Sequence, residues 1–335
     1  MRSKTRTSDR LNIGRCLARS DFQAPWWLKS AHLQTIYPTL FRRGPKIALR
    51  RERLELDDGD FLDLDWTPRA DGSVVLVLHG LEGSSDSPYV RGMLSTLHAH
   101  GWRGVIMHFR GCSGEPNRLP RSYHSGDTGD LSTVVAHLRA RRDVSALAAV
   151  GYSMGGNVLL KWLGERGTGA TLDAAVAVSV PFSLSLAADR LARGLSRIYQ
   201  RRLIDDLRVK LQRKFFRAEC PIDLERANCS RNFWEFDDRV TAPLHGFADV
   251  HDYYAQSSSR QYLGGIGIPT LILHSEDDPF MTPEVLPSRG ELSSSTRLEV
   301  SARGGHVGFV QGSLPWRPHY WLEERIPEFL DTYLD

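Results

Sequence analysis

The stretch GYSMGGNVLLKWLGE, residues Gly151 to Glu165, decides how the chain folds, because it wedges a serine between glycines just where an apolar run gives way to a helical pattern. The preceding ALAAV is of strand length. After the glycines, Val158, Leu159, Leu160, Trp162 and Leu163 recur at helical spacing. A strand that becomes a helix within three residues crowds its own backbone, and Gly151 and Gly155 remove side chains that would collide there. Ser153 is therefore expected to stand exposed on a sharp turn. The Gly-X-Ser-X-Gly spacing is a weak signal by itself in a chain with 29 glycines, so the partners of the serine must be found elsewhere.

Outward from the elbow, short apolar runs recur: SVVLVLH (73–79), GVIMHF (104–109), ALAAVGY (146–152), DAAVAVSV (173–180), PTLILHS (269–275) and TRLEVS (296–301). Most are separated by helix-like stretches. Such runs suit strands buried on both faces, and their alternation with helices predicts a mostly parallel twisted sheet covered on both sides. Upstream, Arg51 to Leu56 and Phe61 to Trp66 flank an Asp-Asp-Gly turn and read as a hairpin.

The rhythm breaks between Pro181 and Ile268, where Leu191, Leu195 and Ile198, then Leu203, Leu207 and Leu211, give amphipathic helices. This interval, about 182–265, is expected to be a helical cap over the strand ends within a single domain spanning 21–335. Its many arginines and lysines read as a solvated helix face in preference to a phosphate or lipid-headgroup patch.

Composition bounds the function. The chain has 335 residues, 41% of them hydrophobic and 25% charged, with a net charge of +3, and no global field calls for nucleic acid. Residues 1–20 hold six Arg or Lys against one acid and read as a disordered basic tail, with a peripheral membrane contact as the alternative. No run approaches the about 18 apolar residues of a spanning helix, so no integral membrane segment is expected. Cys16, Cys112, Cys220 and Cys229 follow no paired spacing, which suits reduced thiols in the cytoplasm. Cys112, beside glycines, carries the alternative of a reactive thiol.

A serine hydroxyl needs a base within hydrogen-bond reach and a third group to orient that base. In an open sheet these come from loops at the carboxyl ends of strands. HSEDDPF follows one strand with an acid, and ARGGHVGF follows the last with a histidine. The set is Ser153, Asp278 and His306, with Asp277 a competing acid. Asp278 is preferred because it lies three residues after Ser275, the small residue ending its strand. Backbone N–H groups of Met154, after the serine, and Leu81, in His79-Gly80-Leu81, are the expected oxyanion donors. Neither a metal nor a cofactor is called for.

Taken with WWLKSAHLQTIYP, HGLEGSSDSPYVRGM, FRGCSGEPNRLPRSYHSGDTGDL and FDDRVTAPLHGFADVHDYY, these motifs give a chain that resembles the YheT-like branch of the α/β-hydrolase superfamily from about Phe22 to the C-terminus. The resemblance implies an α/β-hydrolase fold, a Ser153-Asp278-His306 triad and esterase-, lipase- or phospholipase-like activity. It also sets aside a metal reading of His245 and His251, interleaved with Asp249 and Asp252. The expected substrate is a carboxylic ester, of short or medium acyl chain or a lipid. The aromatic segment near Trp26 and Trp27 and the amphipathic cap are compatible with an acyl chain, although aromatics in a chain of this size are more often simply packed. The alternatives are an acyltransferase using the same acyl-enzyme, and a non-catalytic binding protein of the same fold.

Overall fold

The computed structural model describes residues 16–334 apart from 43, 46, 69–71, 217 and 218. In chain order the elements are β1 (Leu17–Arg19), α1 (Ala31–Phe41), β2 (Arg50–Glu55), β3 (Phe61–Trp66), β4 (Gly72–Leu78), α2 (Pro88–Ala99), β5 (Arg103–Met107), α3 (Thr128–Ala140), β6 (Val144–Tyr152), α4 (Met154–Arg166) and β7 (Ala174–Val178). Among the described residues six α-helices follow: α5 (Leu184–Leu191), α6 (Ser196–Lys214), α7 (Leu224–Asn228), α8 (Phe233–Phe236), α9 (Ala242–His245) and α10 (Val250–Ser257). The chain then runs through β8 (Thr270–Ser275), β9 (Thr296–Ser301), β10 (Val310–Leu314), β11 (Arg317–Tyr320) and α11 (Leu322–Leu334).

Among the described residues nine strands form one sheet in the order β1-β9-β8-β7-β6-β4-β5-β3-β2. Pairing is parallel from β1 to β5 and antiparallel from β5 to β3 and from β3 to β2. Alternate residues of β4 feed opposite faces. Val74, Leu76 and Leu78 join a cluster with α3 and α4, while Val75 and Val77 join one with α2 and α11. Each such fully buried side chain contributes about 1.5–3 kcal/mol, which is why the strands carry apolar residues on both faces.

Register aligns the strand ends. Leu78 sits opposite Gly151, Tyr152 opposite Val178, Val178 opposite Leu273 and Ser275 opposite Ser301. The loops after β4, β6, β7, β8 and β9 therefore leave from a single edge.

One sequence expectation needs correction, and one open reading is decided. Of the basic tail, residues 1–15 lie outside the described residues, but Leu17–Arg19 are a strand, paired in parallel with Leu298–Val300. They cap what would be an open sheet edge, a placement that three residues, two of them exposed, do not advertise. Trp26 and Trp27, in turn, do not face a substrate cavity. Their indole N–H groups donate to Ser313 O at 3.1 Å and Gly312 O at 2.9 Å, fixing that segment to the β10–β11 hairpin.

Between β7 and β8 the inserted helices bury a cluster of their own, including Leu191, Ile204, Leu211, Phe233, Phe236 and Tyr254. Asn157, buried on α4, ties this layer down: its Nδ2 donates to Ser125 O and Ser257 O at 2.8 Å, and its Oδ1 accepts the Ser259 N–H at 3.0 Å.

Candidate active site

The turn between β6 and α4 is strained where the sequence places its serine. Ser153 has φ 51 and ψ −119, a backbone region that L-residues seldom occupy. The glycines around it are sterically required. A Cβ on Gly151 would lie 2.6 Å from Gly155 O, and one on Gly155 would lie 2.5 Å from His79 O. The turn thus packs directly on the end of β4.

His306 comes from the loop after β9 and meets both partners. Its Nε2 lies 2.9 Å from Ser153 Oγ, and its Nδ1 lies 2.8 Å from Asp278 Oδ2. An ionised carboxylate only accepts, so the proton on the ring belongs at Nδ1 and Nε2 is left to accept from the hydroxyl. The Asp278 carboxylate is itself fixed, Oδ1 accepting the Phe280 N–H at 2.8 Å. Phe280 lies flat on the imidazole, with centroids 4.0 Å apart and planes 4° from parallel. Asp277 points elsewhere and accepts the Gly305 N–H at 3.0 Å; burial raises its pKa.

The histidine loop is held by hydroxyls to which the sequence assigned no such role. Thr35 Oγ1 accepts the His306 N–H at 2.9 Å, Ser179 Oγ accepts the Val307 N–H at 3.0 Å, and Ser275 Oγ donates to Gly305 O at 2.7 Å. Val307 and Ser179 both have positive φ, 59 and 51. A β-branched residue in that region is held there by its surroundings. Single small hydroxyl residues on α1, just after β7 and at the end of β8 carry no spacing signal that could have revealed these bonds.

The loop after β4 is equally constrained. Gly80 N–H donates to Tyr89 Oη at 2.8 Å, Glu82 N–H to Tyr123 Oη at 3.1 Å and Gly83 N–H to Gly80 O at 3.0 Å. Among the described residues this leaves the Leu81 N–H without a partner. Met154 is the first residue of α4, where N–H groups lack intrahelical acceptors. His79 braces the loop: Nδ1 donates to Gly80 O at 2.7 Å and Nε2 accepts the Phe109 N–H at 3.2 Å. Complete burial pushes its pKa down to about 3, so it acts as a neutral strut.

Ser153 and His306 open on a cavity of about 560 Å³ between the sheet edge and the inserted helices. Leu184, Leu191, Leu207, Phe233, Phe236 and Val240 supply much of its wall. Cys112 is buried beneath the neighbouring loop. Burial pushes its thiol up to about 11 in spite of Lys210, which disfavours the thiolate that a reactive cysteine needs.

Around the second histidine group, Asp249 Oδ1 accepts the Asp252 N–H at 2.8 Å and Asp252 Oδ2 accepts the Ala248 N–H at 3.0 Å. His251 lies against Trp234, and His245 packs edge-on against His124 with centroids 4.6 Å apart. Among the described residues no group of three or more His, Cys, Asp or Glu is placed to hold a metal, and no helix is long and apolar enough to cross a membrane.

A nine-stranded sheet of this order, with a serine on the strand-to-helix turn at its centre, has the architecture of the family described as alpha/beta hydrolase fold, whose sequence model matches residues 73–313. The chain belongs to the α/β-hydrolase family. Within it the chain stands in the YheT-like branch: it is 45% identical over 312 residues to YheT of Escherichia coli (strain K12), whose name assigns it provisionally to the esterases, covering 91% of this chain and 92% of that protein. Phospholipase ABHD3 of Mus musculus is 30% identical over 322 residues, covering 92% of this chain and 78% of that protein. Among solved structures, esterase Pf2001 of Pyrococcus furiosus superposes with a TM-score of 0.59 at 16% identity, covering 87% of this chain and 92% of that one, a likeness of fold alone.

Proposed function

We propose that this chain hydrolyses carboxylic esters through an acyl-enzyme formed on Ser153. The observation that carries this reading is the pair of contacts at one imidazole, 2.9 Å to the serine hydroxyl and 2.8 Å to the Asp278 carboxylate. Ser153 Oγ attacks the ester carbonyl while His306 Nε2 takes its proton. The tetrahedral oxyanion is met by the N–H groups of Leu81 and Met154, donors of a kind each worth several kcal/mol in the transition state. His306 then passes the proton to the leaving alcohol as the C–O bond breaks. In the second half, water gives its proton to His306 and attacks the acyl carbon. Collapse of that intermediate returns the proton to Ser153 and frees the acid. Asp278 holds the imidazole tautomer throughout, and Phe280 restrains the ring against rotation.

The substrate class follows from the wall. Leucines and phenylalanines beside Ser153 suit an acyl chain, so esters of short or medium acyl length, or lipids, are the proposed substrates. The relatives named as esterase and phospholipase support the same class. The inserted helices act as a cap that shields the acyl-enzyme. Four cysteines without disulfides suit a reducing compartment such as the cytoplasm.

The test is turnover of p-nitrophenyl esters of increasing acyl length by the wild type and by Ser153→Ala. The reading expects turnover by the wild type and a loss on the order of 10³ or more in kcat for the variant. Equal rates in both would overturn it. Release of nitrophenol accelerated by added alcohols, with the alkyl ester as product, would replace hydrolysis by acyl transfer.

A further inference from the structure

The cavity is apolar along much of its wall, but one end is cationic. Arg110, Lys210, Arg213 and Lys214 all line it. Two of the four are neutralised within the fold. Arg110 meets Asp58, Asp60 and Asp130 at 2.9, 2.9 and 2.7 Å. Lys210 Nζ lies 2.7 Å from Glu82 Oε1 and donates to Cys112 Sγ at 2.9 Å.

Arg213 and Lys214 have only carbonyls. Arg213 Nη2 donates to Gly114 O at 2.6 Å and Lys214 Nζ to Asn117 O at 3.4 Å, with no carboxylate in ion-pair contact with either among the described residues. The other lining carboxylates are engaged elsewhere. Asp206 lies 4.0 Å from Arg202, and Asp237 accepts from Thr241 and Tyr254 at 2.6 and 2.7 Å. Burial, together with the charges of Arg110 and Lys210 and against that of Asp60, pushes Lys214 down to about 8. Its cationic form is thus held at a cost that a bound anion would offset.

The place of this end relative to Ser153 follows from the helix. Lys210 is bonded to Glu82, the residue after Leu81, and Lys214 stands one turn farther along α6, about 6 Å away. The basic stretch of the insertion therefore divides. Arg197, Arg201 and Arg202 face solvent, as its sequence suggested, whereas Lys210 and Lys214 turn into the cavity.

Resting on the proposed ester hydrolysis for the identity of the cavity, we propose that Arg213 and Lys214 form a subsite for an anionic group, carboxylate or phosphate, carried by the substrate at a distance from its scissile ester. Substrates are then acidic amphiphiles, with the chain along the leucine and phenylalanine wall and the anion at the end of α6. A neutral ester of the same length leaves the half-buried Lys214, beside the exposed Arg213, without a counter-charge and binds less well.

Binding to the full chain, read by calorimetry below micelle-forming concentrations, tests this without relying on turnover. The probes are decyl phosphate, decanoate and decanol, and the proteins are wild type, Lys214→Gln, Lys214→Arg and Arg213→Gln. The wild type is expected to bind at least one anionic probe about tenfold or more tighter than decanol, as a charge-assisted contact implies, with the preference weakening at high salt. That ratio is expected to fall toward one in Lys214→Gln, to fall in part in Arg213→Gln and to persist in Lys214→Arg. Preference for decyl phosphate alone identifies a phosphorylated substrate, and preference for decanoate identifies a carboxylated one. A wild-type ratio near one, or a ratio unchanged in both glutamine variants, overturns the subsite. A chain that prefers the anions but cleaves no ester keeps the subsite and loses the hydrolysis.

Discussion

Asp277 and Asp278 are neighbours in sequence and hold two different points of one loop: Asp278 Oδ2 lies 2.8 Å from His306 Nδ1, and Asp277 Oδ1 accepts the Gly305 N–H at 3.0 Å. The first contact orients a ring, the second a backbone turn. Asp278→Asn replaces an acceptor by a group that can present N–H to the imidazole, and is expected to lower kcat on the order of 10³ to 10⁴. Asp277→Asn can still accept from Gly305, so its cost is expected to stay below about 1 kcal/mol of stability, with kcat largely kept. Parallel kinetics and urea unfolding of the two variants check the division. Equal losses of kcat would contradict it.

Asn157 joins the elbow helix to the loop at Ser125 and to the end of the insertion at Ser257 and Ser259. Asn157→Ala strands two buried backbone groups, at Ser257 and Ser259, and a half-buried one at Ser125, a buried group costing about 1–3 kcal/mol when unpaired. Some relief by water is expected, so a loss of about 3 kcal/mol in urea unfolding is anticipated, along with a raised KM as the insertion loosens over the cavity.

Acid is expected to destabilise the fold steeply. Burial holds His79, His124, His245 and His274 down to about 3, 2, 4 and 4. These groups stay neutral in the folded chain near pH 5 and take up protons on unfolding. Their contribution is full above about 6.5 and is lost as pH falls toward the folded values. Asp127 and Asp237 act in the opposite sense, since burial raises each to about 6. They are protonated in the folded chain and ionised in the unfolded one between about 4 and 6, and lend stability as pH falls through that window. Four histidine uptakes against the raised carboxyls leave a net uptake of protons on unfolding near pH 5, so stability is expected to fall as pH falls. Urea midpoints between pH 5 and 6.5 read this directly. Stability that is flat or rising on acidification would contradict the burial of these histidines.

Gly155→Ala places a Cβ against the carbonyl oxygen of His79, 2.5 Å away. The contact is with backbone, so either β4 or the elbow must shift. Activity is expected to fall on the order of 10² or more, as a displacement of about 1 Å at a reacting group implies. Gly114→Ala, with open space at its Cβ but φ 99, is the control. It is expected to cost about 1–2 kcal/mol of stability with little change in kcat.

Much of this architecture was legible because it rests on local crowding and burial. The apolar runs from Ser73 to Ser301 became six parallel strands, and the glycines around Ser153 mark a turn with no room for side chains. What the sequence hid depends on distant partners. Phe61–Trp66 alternates with aspartates yet is buried throughout, because Arg53 and Arg51 of the adjoining strand pair with Asp63 and Asp65 at 2.8 and 2.7 Å. α1 runs through Pro38, which argues against a helix when read alone. Its anchor is Gln34, fully buried and bonded to Leu28 and Val310. Thr35, Ser179 and Ser275 support the histidine loop through single hydroxyls, a role visible only once the strand ends are aligned.

The central claim is that His306 primes the hydroxyl of Ser153. It is tested most directly by treating the full chain with a fluorophosphonate and measuring intact mass and the modified peptide. The account predicts a single phosphonyl adduct on the peptide holding Ser153, absent in Ser153→Ala and strongly slowed in His306→Ala. A wild-type chain that stays unmodified, or carries the adduct on another residue, would contradict it.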